Sequence, residues 1–341
     1  MRKTTRPTHG RYKMRPRLPI EHFPARDINW KKVIPHLQLL LHRQGGKGRW
    51  VGAMGTTIEP GTKFGRFIVE AMLGSGTTGT VYRAHSIEGN KTVAIKVLAP
   101  EIAKDKTVLL LFDEEAKVGL ELSHPNIVQT FYVGRHDNLP YIVFEFVHGL
   151  SLGSMIQNGP LPQQHCLWIL RQLAQALRQL RQKGIVHQDI KPDNILIDGN
   201  GNAKLTDLGF ARMVKGRLNW DGVAAGTVLY MSPEQALGRK DVDGRADIYS
   251  LGATIYHAAT GAPLFVSDNE EELMRMHVYR RAESARARNP QLNPDFANIL
   301  ARMLEKDPAA RFQNPEELLL SLRMLDIAAT SPFVAGTKTP Q

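Results

Sequence analysis

One cysteine, Cys166, stands alone in 341 residues, which excludes an internal disulfide and any multi-cysteine metal site and fits a reducing compartment. It is expected to pack as a small apolar residue in a helix. Apolar runs approaching the ~20 residues of a membrane-spanning helix are missing, and the N-terminus lacks the apolar core of a signal peptide. Aromatic residues make up only 7% of the chain. Apolar residues nevertheless reach 42%, and the length suffices for one large bilobed domain or two ordinary ones with a sizeable core. The chain reads as a globular, cytoplasmic protein without a membrane span.

The net charge of +11 suggests nucleic-acid binding until it is located. Residues 1–50 hold 13 of the 44 Lys and Arg against two acids, Glu21 and Asp27, while the remaining 291 residues hold 31 basic and 31 acidic side chains. The excess therefore belongs to an extension, residues 1–60, rich in Pro and Arg and expected to be disordered. Several readings of it stay open: no function, contact with an acidic surface or partner, nucleic-acid contact by counterion release, or a start codon placed too early, with Met54 the true start.

From Phe67 the patterning changes. Residues 67–73 and 81–85 read as two strands around a glycine turn, residues 92–97 as a third, and residues 141–146 as another rich in aromatic and β-branched side chains. Residues 109–122 have helical spacing. Beyond them Pro162 marks a first helical turn, and Leu167, Leu170, Leu173, Leu177 and Leu180 recur at helical spacing until Gly184. Residues 248–259 are apolar nearly all round and stop at Gly261, which predicts a buried helix at the centre of a mainly helical second half. The tail from residue 327 to 341 lacks periodicity and is expected to be flexible.

Gly74, Ser75, Gly76, Thr77, Thr78 and Gly79 form a cluster that lets backbone N–H groups approach a polyphosphate. A strand follows it, not a helix, and Gly-Lys-Ser/Thr is absent, so neither a dinucleotide fold nor a P-loop fits. An ordinary hairpin turn is the plain alternative. Lys96 lies among apolar Val93, Ile95 and Val97, and a later helix supplies Phe112, Asp113, Glu114 and Glu115, so a Lys96–Glu115 pair over phosphates is expected. Those acids would otherwise form a solvated helix face. The strongest signal is His187, Gln188, Asp189, Ile190, Lys191, Pro192, Asp193 and Asn194, followed after a short strand by Asp207, Leu208 and Gly209. Such a set supplies a base for a substrate hydroxyl (Asp189), two oxygen ligands for magnesium (Asn194 and Asp207) and a cation to offset charge on a transferring phosphoryl group (Lys191).

These motifs, with Ser232, Pro233 and Glu234, resemble the protein kinase signature set over residues 64–326, and in detail the chain is similar to the bacterial Hanks-type serine/threonine kinases. The resemblance implies an α+β, bilobed protein kinase fold, with a β-rich N-lobe (64–147) carrying one regulatory helix and a mainly helical C-lobe (148–326). The cofactors implied are ATP and Mg2+, with Mn2+ an alternative, and the partners are protein substrates. ATP is expected against Leu73, Gly74, Ser75, Gly76, Thr77, Thr78 and Gly79, Val81, Ala94, Lys96 and Leu196, with Phe144 as gatekeeper and a hinge from Glu145 to Val147. The resemblance further implies that His124, Pro125 and Asn126 form the turn after the regulatory helix, that Asp247 anchors the catalytic loop and that Arg311 pairs with Glu234. Lys191 two residues after Asp189, with Gly226 and Thr227 before Tyr230, resembles the serine/threonine pattern. A nucleotide-binding scaffold without activity is the competing reading, and the complete set Lys96, Asp189, Asn194 and Asp207 argues against it.

Three departures from the family pattern stand out. Gln188 replaces the arginine that in many relatives binds a phosphate on the activation segment, and residues 208–226 contain no Ser, Thr or Tyr. Activity is therefore expected not to depend on phosphorylation there. Gly119 and Thr130 fall where relatives commonly place larger apolar residues between the lobes, which predicts a regulatory helix less firmly held than usual.

Overall fold

The computed structural model describes residues 57–76, 79–100, 102–104, 106–208, 212–213, 228–325 and 331–333. In the first lobe, β1 (Lys63–Phe64), β2 (Phe67–Ser75), β3 (Gly79–Ser86), β4 (Lys91–Leu98), β5 (Thr130–His136) and β6 (Leu139–Glu145) form an antiparallel sheet in the order β1-β2-β3-β4-β6-β5. Alternation along β4 buries Val93, Ile95 and Val97 in a core with Phe67, Val69, Tyr82 and Val143. Ala94, Lys96 and Leu98 point to the opposite face, where α1 (Lys106–Glu121) lays Phe112 and Ala116 over Leu98 and Ile142. That face is consequently where Lys96 meets the helix.

Ile58 packs against the sheet core and its N–H donates to the Tyr82 hydroxyl at 3.2 Å, so the domain's packing starts before residue 60, ahead of the expected boundary at 64. Residues 1–56, Met54 included, lie outside the described residues.

The second lobe is helical. Its short α2 (Leu152–Ile156) precedes α3 (Gln163–Gln182), whose predicted leucine stripe is buried throughout, as is Cys166. Pro162 sits at the N-cap of α3, one position before the expected first turn. α4 (Pro233–Ala236), α5 (Gly244–Thr260), α6 (Glu270–Tyr279), α7 (Ala285–Arg288), α8 (Pro294–Met303) and α9 (Pro315–Leu322) follow, with α5 buried nearly all round and ended by left-handed Gly261. Short strands accompany these helices: β7 (Gly149–Ser151), β9 (Ile195–Asp198) and β10 (Ala203–Leu205) in one sheet, β8 (Ile185–Val186) and β11 (Arg212–Met213) in another.

The lobes are tied behind the cleft through the turn after α1. Val128 N–H donates to Leu205 O (2.8 Å) and Leu205 N–H to Asn126 O (2.9 Å), while the buried Asn126 amide donates to Gln172 Oε1 (2.8 Å) and Ala203 O (2.9 Å). The tail differs from expectation at residues 331–333, where the Phe333 ring meets His165 edge-on at 4.2 Å between centroids and packs against the second lobe's core. Residues 327–330 and 334–341 lie outside the described residues.

Candidate active site

A loop between β8 and β9 carries the polar cluster. Asp247, near the start of α5, accepts the His187 and Gln188 N–H groups at 2.8 Å each. Burial raises its pKa to about 7 against the pull of those two donors, so the carboxylate is held as an acceptor at a cost. Gln188 has φ 67°, a left-handed conformation that a non-glycine residue keeps only under such constraint. The buried His187 ring is neutral, because desolvation lowers its pKa, and its Nδ1 accepts the Asp189 N–H at 3.3 Å while Nε2 lies 3.2 Å from Thr206 O.

The buried Asp189 carboxylate faces two donors. Lys191 Nζ lies 2.8 Å from Asp189 Oδ2 and Asn194 Nδ2 lies 2.9 Å from it. Asn194 Nδ2 also donates to Asp189 O at 2.8 Å, so this amide's nitrogen is committed to the loop and its oxygen faces away from it. Pro192–Asn194 form the single 3-10 turn that brings Asn194 back over Asp189.

Lys96 from β4 and Glu115 from α1 meet as predicted, with Nζ at 2.8 and 3.0 Å from the two carboxylate oxygens. Lys96 also reaches Asp207 Oδ1, at 3.3 Å, from the second lobe. Desolvation alone would lower the Lys96 pKa; Asp207 and Glu115 together raise it above the ordinary value, and the residue stays charged. Asp207 likewise feels burial first, yet Lys96 brings its pKa below the ordinary carboxylate value. Asp207 is the second left-handed residue of the site (φ 62°), and Leu208 after it is buried.

In the first lobe, β2 and β3 close through Gly76 N–H to Gly79 O at 2.9 Å. A Cβ at Gly79 would overlap Val97 O, so packing demands glycine there, whereas a Cβ at Gly74 or Gly76 would meet no protein atom closer than 4.0 Å. Leu73, Gly74, Ser75 and Gly76 are exposed; Thr77 and Thr78 lie outside the described residues. Val81, Ala94, Leu196, Phe144 and Val147 are half-buried, and register places Val81 opposite Lys96 and Ala94 opposite Phe144.

Two participants escaped the sequence reading. Lys204, on β10 leading to Asp207, pairs with the side chain of Glu145 at 2.9 Å, and the same carboxylate accepts Gln129 N–H at 3.3 Å, tying the expected hinge to the strand that delivers Asp207. Gln235 is the other. Its signal was present, since Ser232 followed three residues later by Gln reads as a capping box. Arg311 and Glu234 form a buried bidentate pair at 2.7 and 2.8 Å. Gly209, Gly226, Thr227 and the stretch between them, apart from the backbone of β11, lie outside the described residues.

A sheet lobe whose lysine reaches an aspartate of a helical lobe is the architecture of the protein kinase fold. The chain belongs to the protein kinase family, the protein kinase domain matching residues 67–320. It is 35% identical over 264 residues to the serine/threonine-protein kinase PknB of Mycobacterium leprae and 36% identical over 256 residues to the serine/threonine-protein kinase PrkC of Bacillus subtilis. These matches cover 75% and 74% of this chain but 42% and 39% of the relatives, so the chain spans about two fifths of their length. The solved kinase domain of PknI from Mycobacterium tuberculosis is 27% identical, with a TM-score of 0.61 over 79% of this chain and 99% of that one. The resemblance to the bacterial Hanks-type kinases thus rests on both sequence and fold. Among the described residues no helix is long and apolar enough to cross a membrane.

Proposed function

We propose that the chain transfers the γ-phosphoryl group of Mg-ATP to Ser or Thr hydroxyls of protein substrates, in the cytoplasm. One observation carries this reading: Lys96 contacts Glu115 of the first lobe and Asp207 of the second at once, so a cation is held where the two lobes meet. Asp189 orients the substrate hydroxyl and takes its proton, and Lys191, 2.8 Å from it, offsets charge on the transferring group. Lys96, positioned by Glu115, binds ATP phosphates under the glycine hairpin, where Gly74 and Gly76 leave space that packing does not require. Val81, Ala94 and Leu196 flank the base beside Phe144 and the hinge from Glu145 to Val147.

Asn194 and Asp207 fit magnesium, because Asn194 presents its oxygen once its nitrogen is committed to Asp189 and Asp207 is an ionised, 37% exposed carboxylate. When bound, the ion neutralises phosphate charge and orients the ATP tail. The basic residues 1–50 are left without a role in this chemistry.

The test is transfer of labelled phosphate to a generic basic protein, with phosphoamino-acid analysis. Asp189→Asn and Asp207→Ala are each expected to abolish transfer; Asp207→Ala alone weakens Mg-ATP binding. Substantial transfer by either variant overturns the assigned roles.

A further inference from the structure

The peptide unit joining Gln188 to Asp189 is gripped at both ends. Its N–H, on Asp189, donates to His187 Nδ1 at 3.3 Å, and its carbonyl, on Gln188, accepts Gln235 Nε2 at 2.8 Å. The two units before it are held through Asp247, which accepts the His187 and Gln188 N–H groups. Gln235 comes from α4, some 47 residues along the chain, and its oxygen accepts both the N–H and the Oγ of Ser232 at 3.0 Å. The polarity of these partners fixes the amide: a carbonyl on one side demands its nitrogen, and a backbone N–H on the other demands its oxygen. Gln235 is therefore a strut with one end in the capping box of α4 and the other on the peptide that carries Asp189.

We propose that Gln235 is a positioning residue for the reaction: it holds the left-handed turn at Gln188 so that the Asp189 carboxylate stays aimed, and it ties the loop to α4 without a phosphate. A left-handed non-glycine residue is disfavoured by roughly 1 kcal/mol or more, so it persists only while its flanking peptides are restrained. Asp247 restrains the N–H side, and Gln235 restrains the carbonyl side. The tie uses two neutral groups and needs no charge at position 188, where Gln188 offers none. This rests on the phosphotransferase reading above.

Gln235→Glu separates this role from simple capping. A carboxylate still accepts from Ser232 and preserves the start of α4, but it cannot donate to Gln188 O. The expected result is a kcat lower by about 10- to 100-fold, with KM for ATP and for a peptide acceptor within about twofold of the parent and a melting temperature lower by no more than a few degrees. Amide hydrogen exchange across residues 187–191 in the nucleotide-free chain is expected to speed up, a readout that holds even if the parent chain transfers no phosphate. Gln235→Met, which keeps length and loses both ends, is expected to show the same kcat loss and serves if the glutamate variant does not fold. A kcat within about twofold of the parent for a folded variant, or unchanged exchange at residues 187–191, overturns the proposal. So does a kcat loss matched by lost ATP binding, which would mark general structural damage.

Discussion

Gly119 of α1 and Thr130 of β5 occupy one another's space: a Cβ on Gly119 would land on Thr130 Oγ1 and 3.0 Å from Thr130 Cβ. Thr130 is 3% exposed, and its Oγ1 finds no hydrogen-bond partner among the described residues. Two small residues that suggest a loosened helix in the sequence are thus fitted to each other, and the helix lies close enough to the sheet for Glu115 to reach Lys96.

Gly119→Ala is expected to destabilise the domain by about 1–3 kcal/mol, although alanine favours an isolated helix by about 1 kcal/mol, because β-branched Thr130 cannot turn both its heavy atoms and its Cβ away. Thr130→Ala in the same chain should recover most of the loss. Urea melts of the single and double variants check this, and a Gly119→Ala domain as stable as its parent would contradict the fit.

Arg311 is 0% exposed and holds Glu234 by two hydrogen bonds while also donating to the carbonyls of Glu305, Arg245 and Lys306. Removing one partner leaves a buried charge. Arg311→Met and Glu234→Gln should each cost about 3–5 kcal/mol, and the double variant clearly less than their sum. Additive losses in a double-mutant cycle would show that the two do not act as a pair.

Lys306 donates to His277 O at 2.7 Å from a half-buried position. Burial first, then the Arg311 guanidinium, lower its pKa to about 7, against the smaller pull of Glu305. The unfolded chain binds this proton up to about pH 10.4, so between about pH 7 and 10.4 it holds more protons than the folded one, and stability rises with pH. Below about pH 7 both states are protonated and the contribution is lost. Relative to Lys306→Met, the parent domain is expected to gain stability from pH 7 to 10 in denaturant titrations, and a constant difference would refute the depressed pKa.

Phosphatase-treated protein is expected to begin transfer at full rate, because residues 208–226 offer no hydroxyl and Gln188 no charge to hold a phosphate. Thr227, at the border of that stretch, lies outside the described residues. An initial-rate assay decides: a lag removed by preincubation with Mg-ATP, with phosphate mapped to Thr227, would disprove the expectation.

The local parts follow from residue order alone. Alternation along residues 92–97, the leucine stripe of α3 and the contiguous run from His187 to Asn194 are periodicities and spacings within a few residues, and each folds as its pattern dictates. The Lys96–Glu115 pair was legible because a lone lysine among apolar neighbours needs a counter-charge and one acidic helix lies nearby. What distant segments do to each other follows from how they pack. Lys204 with Glu145, Gln235 with Gln188, and Phe333 with His165 are separated along the chain by 59, 47 and 168 residues, and none has a charge pattern or period that announces its partner. Gly119 shows the reason most plainly: residue type tells that a side chain is missing, but whether the gap is empty or filled depends on the distance between a helix and a strand, which packing alone sets.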